Sequence, residues 1–99
     1  MATSVSKDKY KLVYTVLPSH LQSTKEAIFS AGGGAFPDGK YVRVSFEVAG
    51  LNQFLPVAEA GANPHTGKTG TLEIVEEVRV EITCFGREVV RGCVKALKE

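Results

Sequence analysis

The stretch that most constrains this chain is 61–80, GANPHTGKTGTLEIVEEVRV, which begins as a turn-rich loop and ends as an alternating strand. Pro64 fixes φ, Asn63 tolerates unusual backbone angles, and Gly67 and Gly70 permit positive φ, so the first half reads as an ordered connection. Further on the period is two. Val78, Val80, Ile82 and Cys84 share one face, while Glu77, Arg79, Glu81 and Thr83 share the other. Such a strand belongs at the centre of a sheet with one covered and one wet face.

Gly67-Lys68-Thr69 invites a phosphate-loop reading, which the spacing rejects. That motif needs four residues between its glycines and a helix after it. Here the five residues Ala62, Asn63, Pro64, His65 and Thr66 separate Gly61 from Gly67, and a strand follows. No helix N-terminus is available to hold a phosphate. Glu76 and Glu77 do not form a paired-carboxylate site, because adjacent strand residues point to opposite faces.

Ninety-nine residues make one domain, and 43% hydrophobic with 23% charged content is ordinary globular composition. A net charge of +1, with no basic patch interleaved with aromatics, argues against nucleic acid. No apolar run reaches the length of a membrane span. Residues 1–9 are polar and lack the apolar core of a secretory signal, so they read as a disordered lead-in to a single domain over 10–99. Cys84 falls at a strand end and Cys93 in a helical pattern; without a secretion signal they read as free, buried thiols in the cytoplasm. No Cys/His cluster has metal-ligand spacing, and neither a cofactor nor a metal site is expected.

Residues 10–17, YKLVYTVL, form the first expected strand, with Leu12, Tyr14 and Val16 on one face. A helix over about 20–31 follows, with Ser19 as its expected N-cap and Leu21, Thr24, Ile28 and Ala31 as its stripe. Gly32-Gly33-Gly34 stops it. Residues 41–48, YVRVSFEV, alternate as a second strand, with Val42, Val44, Phe46 and Val48 expected inward and Arg43 expected to pair with Glu77 or Glu81. Ala49-Gly50 should break this strand. Val89, Val90, Cys93, Val94 and Leu97 make the stripe of a final helix.

Strand, helix, strand, strand, helix is an α+β, ferredoxin-like β-α-β-β-α arrangement: an antiparallel sheet covered on one face by two helices, without its closing strand. The first strand is then an open edge, and Tyr10, Leu12, Tyr14 and Val16 are the expected interface residues of a dimer or trimer.

YKLVYTVLPSHLQSTKEAIFSAGGG, FLPVAEAGANPHTGKTGTLEIVEEVRVEI and VVRGCVKALKE resemble the inserted domain of the Ngg-interacting-factor-three family, also described as dinuclear-metal-centre proteins or GTP cyclohydrolase homologues. The resemblance runs from Tyr10 to Glu99, and GANPHTG with TLEIVEEVRVE is its most specific part. It implies a ferredoxin-like fold similar to CutA and the PII signalling proteins. The family's metal-binding motifs lie in flanking domains and have no counterpart here, so the metal chemistry does not carry over. In the family the last helix leads into a His-Pro-Tyr-Glu-Glu-like segment and a closing strand, which this sequence stops short of. Where relatives often carry Gly-Ala-Gly-Arg, this chain has Gly32-Gly33-Gly34-Ala35, so any contact through that Arg is missing.

The leading functional expectation is a non-catalytic regulatory or protein-interaction module that self-associates, possessing no catalytic residue and binding neither nucleic acid nor membrane. The alternative is a nucleotide- or metabolite-binding module built on the 61–70 loop, with His20, Asn63, His65 and Lys68 as its polar groups.

Overall fold

Alternating and helical periods produce three strands and two helices in the expected order, with the second strand displaced along the chain. The structure, a computed structural model, describes residues 8–61 and 68–98. Strand β1 is Lys9–Val16, helix α1 is Leu21–Ser30, β2 is Phe46–Phe54, β3 is Glu73–Phe85 and α2 is Arg87–Lys98. Of the lead-in expected at 1–9, residues 1–7 lie outside the described residues, and Lys9 already belongs to β1. The sheet is antiparallel with order β1-β3-β2, so β3 is its centre.

Both helices cover one face. Ile28 from α1, Val80, Ile82 and Cys84 from β3, and Cys93 from α2 are fully buried. Tyr10, Leu12, Tyr14 and Val16 pack around them from β1. Each buried aliphatic side chain contributes about 1.5–3 kcal/mol relative to exposure.

Helix α1 departs from expectation at its start. Residues Pro18–His20 form a 3-10 turn, and His20, not Ser19, occupies the N-cap without a side-chain cap bond. The hydroxyls of Ser23 and Thr24 bond back to the His20 carbonyl at 3.1 and 3.0 Å. The C-terminal stop follows expectation. Gly32 takes φ +99°, its N–H reaches the Phe29 carbonyl and the Gly33 N–H reaches the Ile28 carbonyl, the paired bonds of a Schellman cap.

The main correction concerns the second strand. It runs from Phe46 to Phe54, not 41–48, and passes through Ala49-Gly50 without a break. The reason is Gly34. Continued pairing would set Val44 opposite Thr83, but Gly34 occupies that place: its N–H donates to the Thr83 carbonyl at 2.9 Å, and its own carbonyl accepts from Val44 N–H at 3.1 Å. A Cβ at Gly34 would meet Val44 backbone oxygen at 2.7 Å, so only glycine fits the wedge. Residues 41–45 are thereby displaced from the sheet edge. Arg43 adopts φ +57°, pairs with Glu26 of α1 instead of Glu77 or Glu81, and lies 4.9 Å over the Phe29 ring.

The face assignment of β2 is also reversed. Directly opposed residues share a face, and Phe46 opposes Glu81 while Val48 opposes Arg79. Phe46 and Val48 therefore lie on the face away from the helices. Glu47 turns toward α1, where it pairs with Lys25.

Only part of β3 has neighbours on both sides. β1 pairs with its residues 78–85 and β2 with 73–81, so residues 50–54 and 73–77 form a two-stranded arm. The molecule is accordingly long, 63 × 24 × 18 Å, with a radius of gyration of 17.2 Å. A compact domain of this length has a radius of about 13 Å. Among the described residues, no helix is long and apolar enough to cross a membrane.

Candidate functional site

The face of the sheet that the helices leave uncovered carries exposed apolar side chains and a charged cluster. Its rows follow from the strand register. Val13, Glu81 and Phe46 form one row across the three strands; Thr15, Arg79 and Val48 form the next. Phe46 is 60% exposed, Val48 46% and Val13 40%. Three apolar side chains thus stand in water around a charged centre.

That centre is Glu81. It accepts a bond from Arg79 Nε at 3.1 Å and pairs with Lys11 Nζ at 3.3 Å. The Arg79 bond, followed by the Lys11 bond, holds its carboxyl below the usual glutamate range. A shallow groove of about 520 Å³ crosses this region, lined by Lys11, Val44, Ser45, Phe46, Glu81 and Thr83. A second groove of about 280 Å³ lies at the foot of the arm, against Pro18, Ala49, Gly50, Leu51 and Glu76 to Val78. Leu51 and Ile74 are largely exposed on the arm. Glu76 opposes Leu51 and Glu77 opposes Gly50, so the two carboxylates do diverge to opposite faces.

Of the four polar residues singled out from sequence, the structure describes two. Asn63 and His65 lie outside the described residues. His20 is exposed at the start of α1. Lys68 is exposed before β3, where its N–H meets Glu73 Oε1 at 3.4 Å. Neither His20 nor Lys68 lines either groove. Tyr10, Leu12, Tyr14 and Val16, expected at an interface, turn their side chains under the helices. Among the described residues β1 still has β3 as its neighbour on one side alone, so what it offers a partner is edge backbone rather than those side chains.

Phe46 and Val48, expected inward, are surface residues, and nothing in their own alternation marks them as such. A strand reading apolar-polar-apolar states that its faces differ, not which one the helices cover. Among the described residues no group of three or more His, Cys, Asp or Glu side chains is placed to hold a metal ion.

No family model matches the chain. Curated relatives do. It is 38% identical over 81 residues to a GTP cyclohydrolase 1 type 2 homolog of Halalkalibacterium halodurans, which covers 82% of this chain and 21% of that protein. Against the protein of the same name from Mycobacterium tuberculosis the identity is 40% over 80 residues, covering 81% of this chain and 20% of the relative. The Bacillus subtilis protein of that name is 33% identical over 87 residues, with 88% and 22% covered. The chain thus spans about a fifth of the length of these relatives. Among solved structures, a Bacillus cereus protein related to NIF3 superposes with a TM-score of 0.73 at 28% identity, over 97% of this chain and 23% of that one. Sequence and fold agree: the chain is NIF3-like, matching over most of its length one ferredoxin-like part of larger proteins of that family.

Proposed function

We propose that this domain is a non-catalytic interaction module that self-associates through the uncovered face of its sheet, working in the cytoplasm. The observation that carries this reading is the row Val13–Glu81–Phe46 with Val48 beside it, apolar side chains exposed around an ion-paired centre on a face that no described element covers. A solvated face of an antiparallel sheet ordinarily shows polar residues. Clustered apolar side chains left in water mark interaction surfaces, and aromatic residues and Arg, here Phe46 and Arg79, are enriched in them. Copies of the same chain suit it, since each brings both the apolar strip and the Lys11–Glu81–Arg79 cluster. Two unbridged buried cysteines suit a reducing compartment. The relatives' name points to GTP chemistry; on this proposal such chemistry belongs to the parts of those proteins that this chain does not span.

The test is native mass by light scattering over a concentration series, for the wild type and for Phe46→Ser combined with Val48→Ser. The expected result is a discrete dimer or trimer that the double substitution converts to monomer while thermal stability is retained. A wild-type monomer at all concentrations would refute self-association. An oligomer indifferent to both substitutions would move the contact to the β1 edge and overturn the sheet-face assignment.

A further inference from the structure

Cys84 and Cys93 take no part in the proposed interface, yet they are the most closely engaged reactive pair in the molecule. Cys84 ends the buried face of β3, opposite Tyr10. Cys93 sits on the buried side of α2. Both are 0% exposed, and their sulfurs lie 3.9 Å apart. The remaining surroundings hold the pair together. Cys93 Sγ lies 3.6 Å from the Ile28 carbonyl, and glycine at position 33 leaves room for it: a Cβ there would stand 2.9 Å from that sulfur.

We infer that Cys84 and Cys93 form a latent dithiol that a low-molecular-weight disulfide oxidises to an intramolecular bridge, fastening α2 to the centre of the sheet. A disulfide needs about 2.05 Å between sulfurs, so from 3.9 Å each has to move by roughly 1 Å. The chemistry is two exchanges. One cysteine thiolate attacks the small disulfide, forming a mixed disulfide and releasing one small thiolate. The second cysteine thiolate attacks the protein-bound sulfur, closing the bridge and releasing the other. The two protons lost by Cys84 and Cys93 end on the two released thiols; the protein is oxidised by two electrons and the small disulfide reduced by two.

The closed fold restrains this reaction. Burial, followed by the neighbouring Cys93, pushes the Cys84 thiol up to about 12, so it stays protonated and poorly nucleophilic at neutral pH. The oxidant also has no path to either sulfur while α2 is seated. Oxidation therefore follows transient lifting of α2, and the bridge then fixes the helix in place.

The experiment exposes the full chain to glutathione disulfide at neutral pH without denaturant. Intact mass and peptide mapping follow the product, and thermal unfolding follows its consequence. The expected product loses two hydrogens and joins the Cys84 and Cys93 peptides. Its Tm rises on the order of 10 °C, because a closed loop of this short length removes unfolded-state freedom, and a thiol reductant reverses the change. Cys93→Ala stops at a mixed disulfide on Cys84. Should that substitution prevent folding, the wild-type map decides alone. Glutathione retained on one sulfur of the wild type, a bridge between two chains, or two thiols left unreacted without denaturant while the urea-unfolded chain oxidises would each overturn the inference.

Discussion

Substituting Gly33 by alanine tests the packing argument most directly. Gly33 follows α1 and is buried, with no positive φ to complicate a substitution. An added Cβ would stand 2.6 Å from Ile28 Cγ2, 2.9 Å from Cys93 Sγ and 3.2 Å from the Ile28 carbonyl oxygen. Carbon–carbon contacts are optimal at about 3.5–4.0 Å, so the overlap with Ile28 is roughly 1 Å. Ile28 cannot swing aside. It is fully buried, and its β-branched side chain has one strongly preferred χ1 in a helix. Overpacking of this kind costs about 1–3 kcal/mol. Gly92 supplies the control. It lies inside α2, and a Cβ there would meet nothing within 4 Å, so Gly92→Ala adds helix propensity without a clash. It should stabilise by up to about 1 kcal/mol. Urea unfolding of both variants, monitored by circular dichroism, gives the comparison. The midpoint should fall for Gly33→Ala and rise for Gly92→Ala at an unchanged slope. A Gly33→Ala protein as stable as the wild type would refute the close approach of the glycine segment to Ile28 and Cys93.

Two further predictions rest on polar contacts. The Arg43 hydrogen bond holds the Glu26 carboxyl below its ordinary range, as Arg79 and then Lys11 do for Glu81. A folded-state pKa depressed below the unfolded one gives a contribution present above the unfolded value and lost as pH falls through the folded value. Both carboxyls should titrate on the acid side of ordinary glutamate by NMR, with Arg43→Ala restoring Glu26 and leaving Glu81 low; ordinary titration of both in the wild type would contradict the pairing. Tyr14→Phe removes the hydroxyl that donates to Thr24 Oγ1 at 3.0 Å and links β1 to α1. The loss should be about 0.5–1.5 kcal/mol in chemical denaturation, and no loss would show the bond to be energetically idle.

Much of the fold was legible because periodicity is local. The Val78–Val80–Ile82–Cys84 alternation marks β3, the Val89–Val90–Cys93–Leu97 stripe marks α2, although Val94, read into that stripe, is exposed, and the glycine triplet marks the end of α1. Each pattern records which side of one element is dry, and neighbouring residues along the chain suffice to display it. The candidate site was less legible. Phe46 and Val48 read as core residues, and Arg43 as a sheet-surface partner of β3.

Tertiary structure reversed those assignments through contacts between residues far apart in sequence. Gly34 takes the place beside Thr83 that Val44 would have filled, so the strand starts at Phe46. Lys25 meets Glu47 on the helix side, which leaves Phe46 and Val48 on the open face. The sequence by itself determined the kinds of element, their order and the central strand, though not the bounds of β2, because backbone propensity and period act within a few residues. The tertiary structure alone decided which face of β2 is covered and brought the two sulfurs within 3.9 Å, because both depend on how α1 and α2 dock across the sheet.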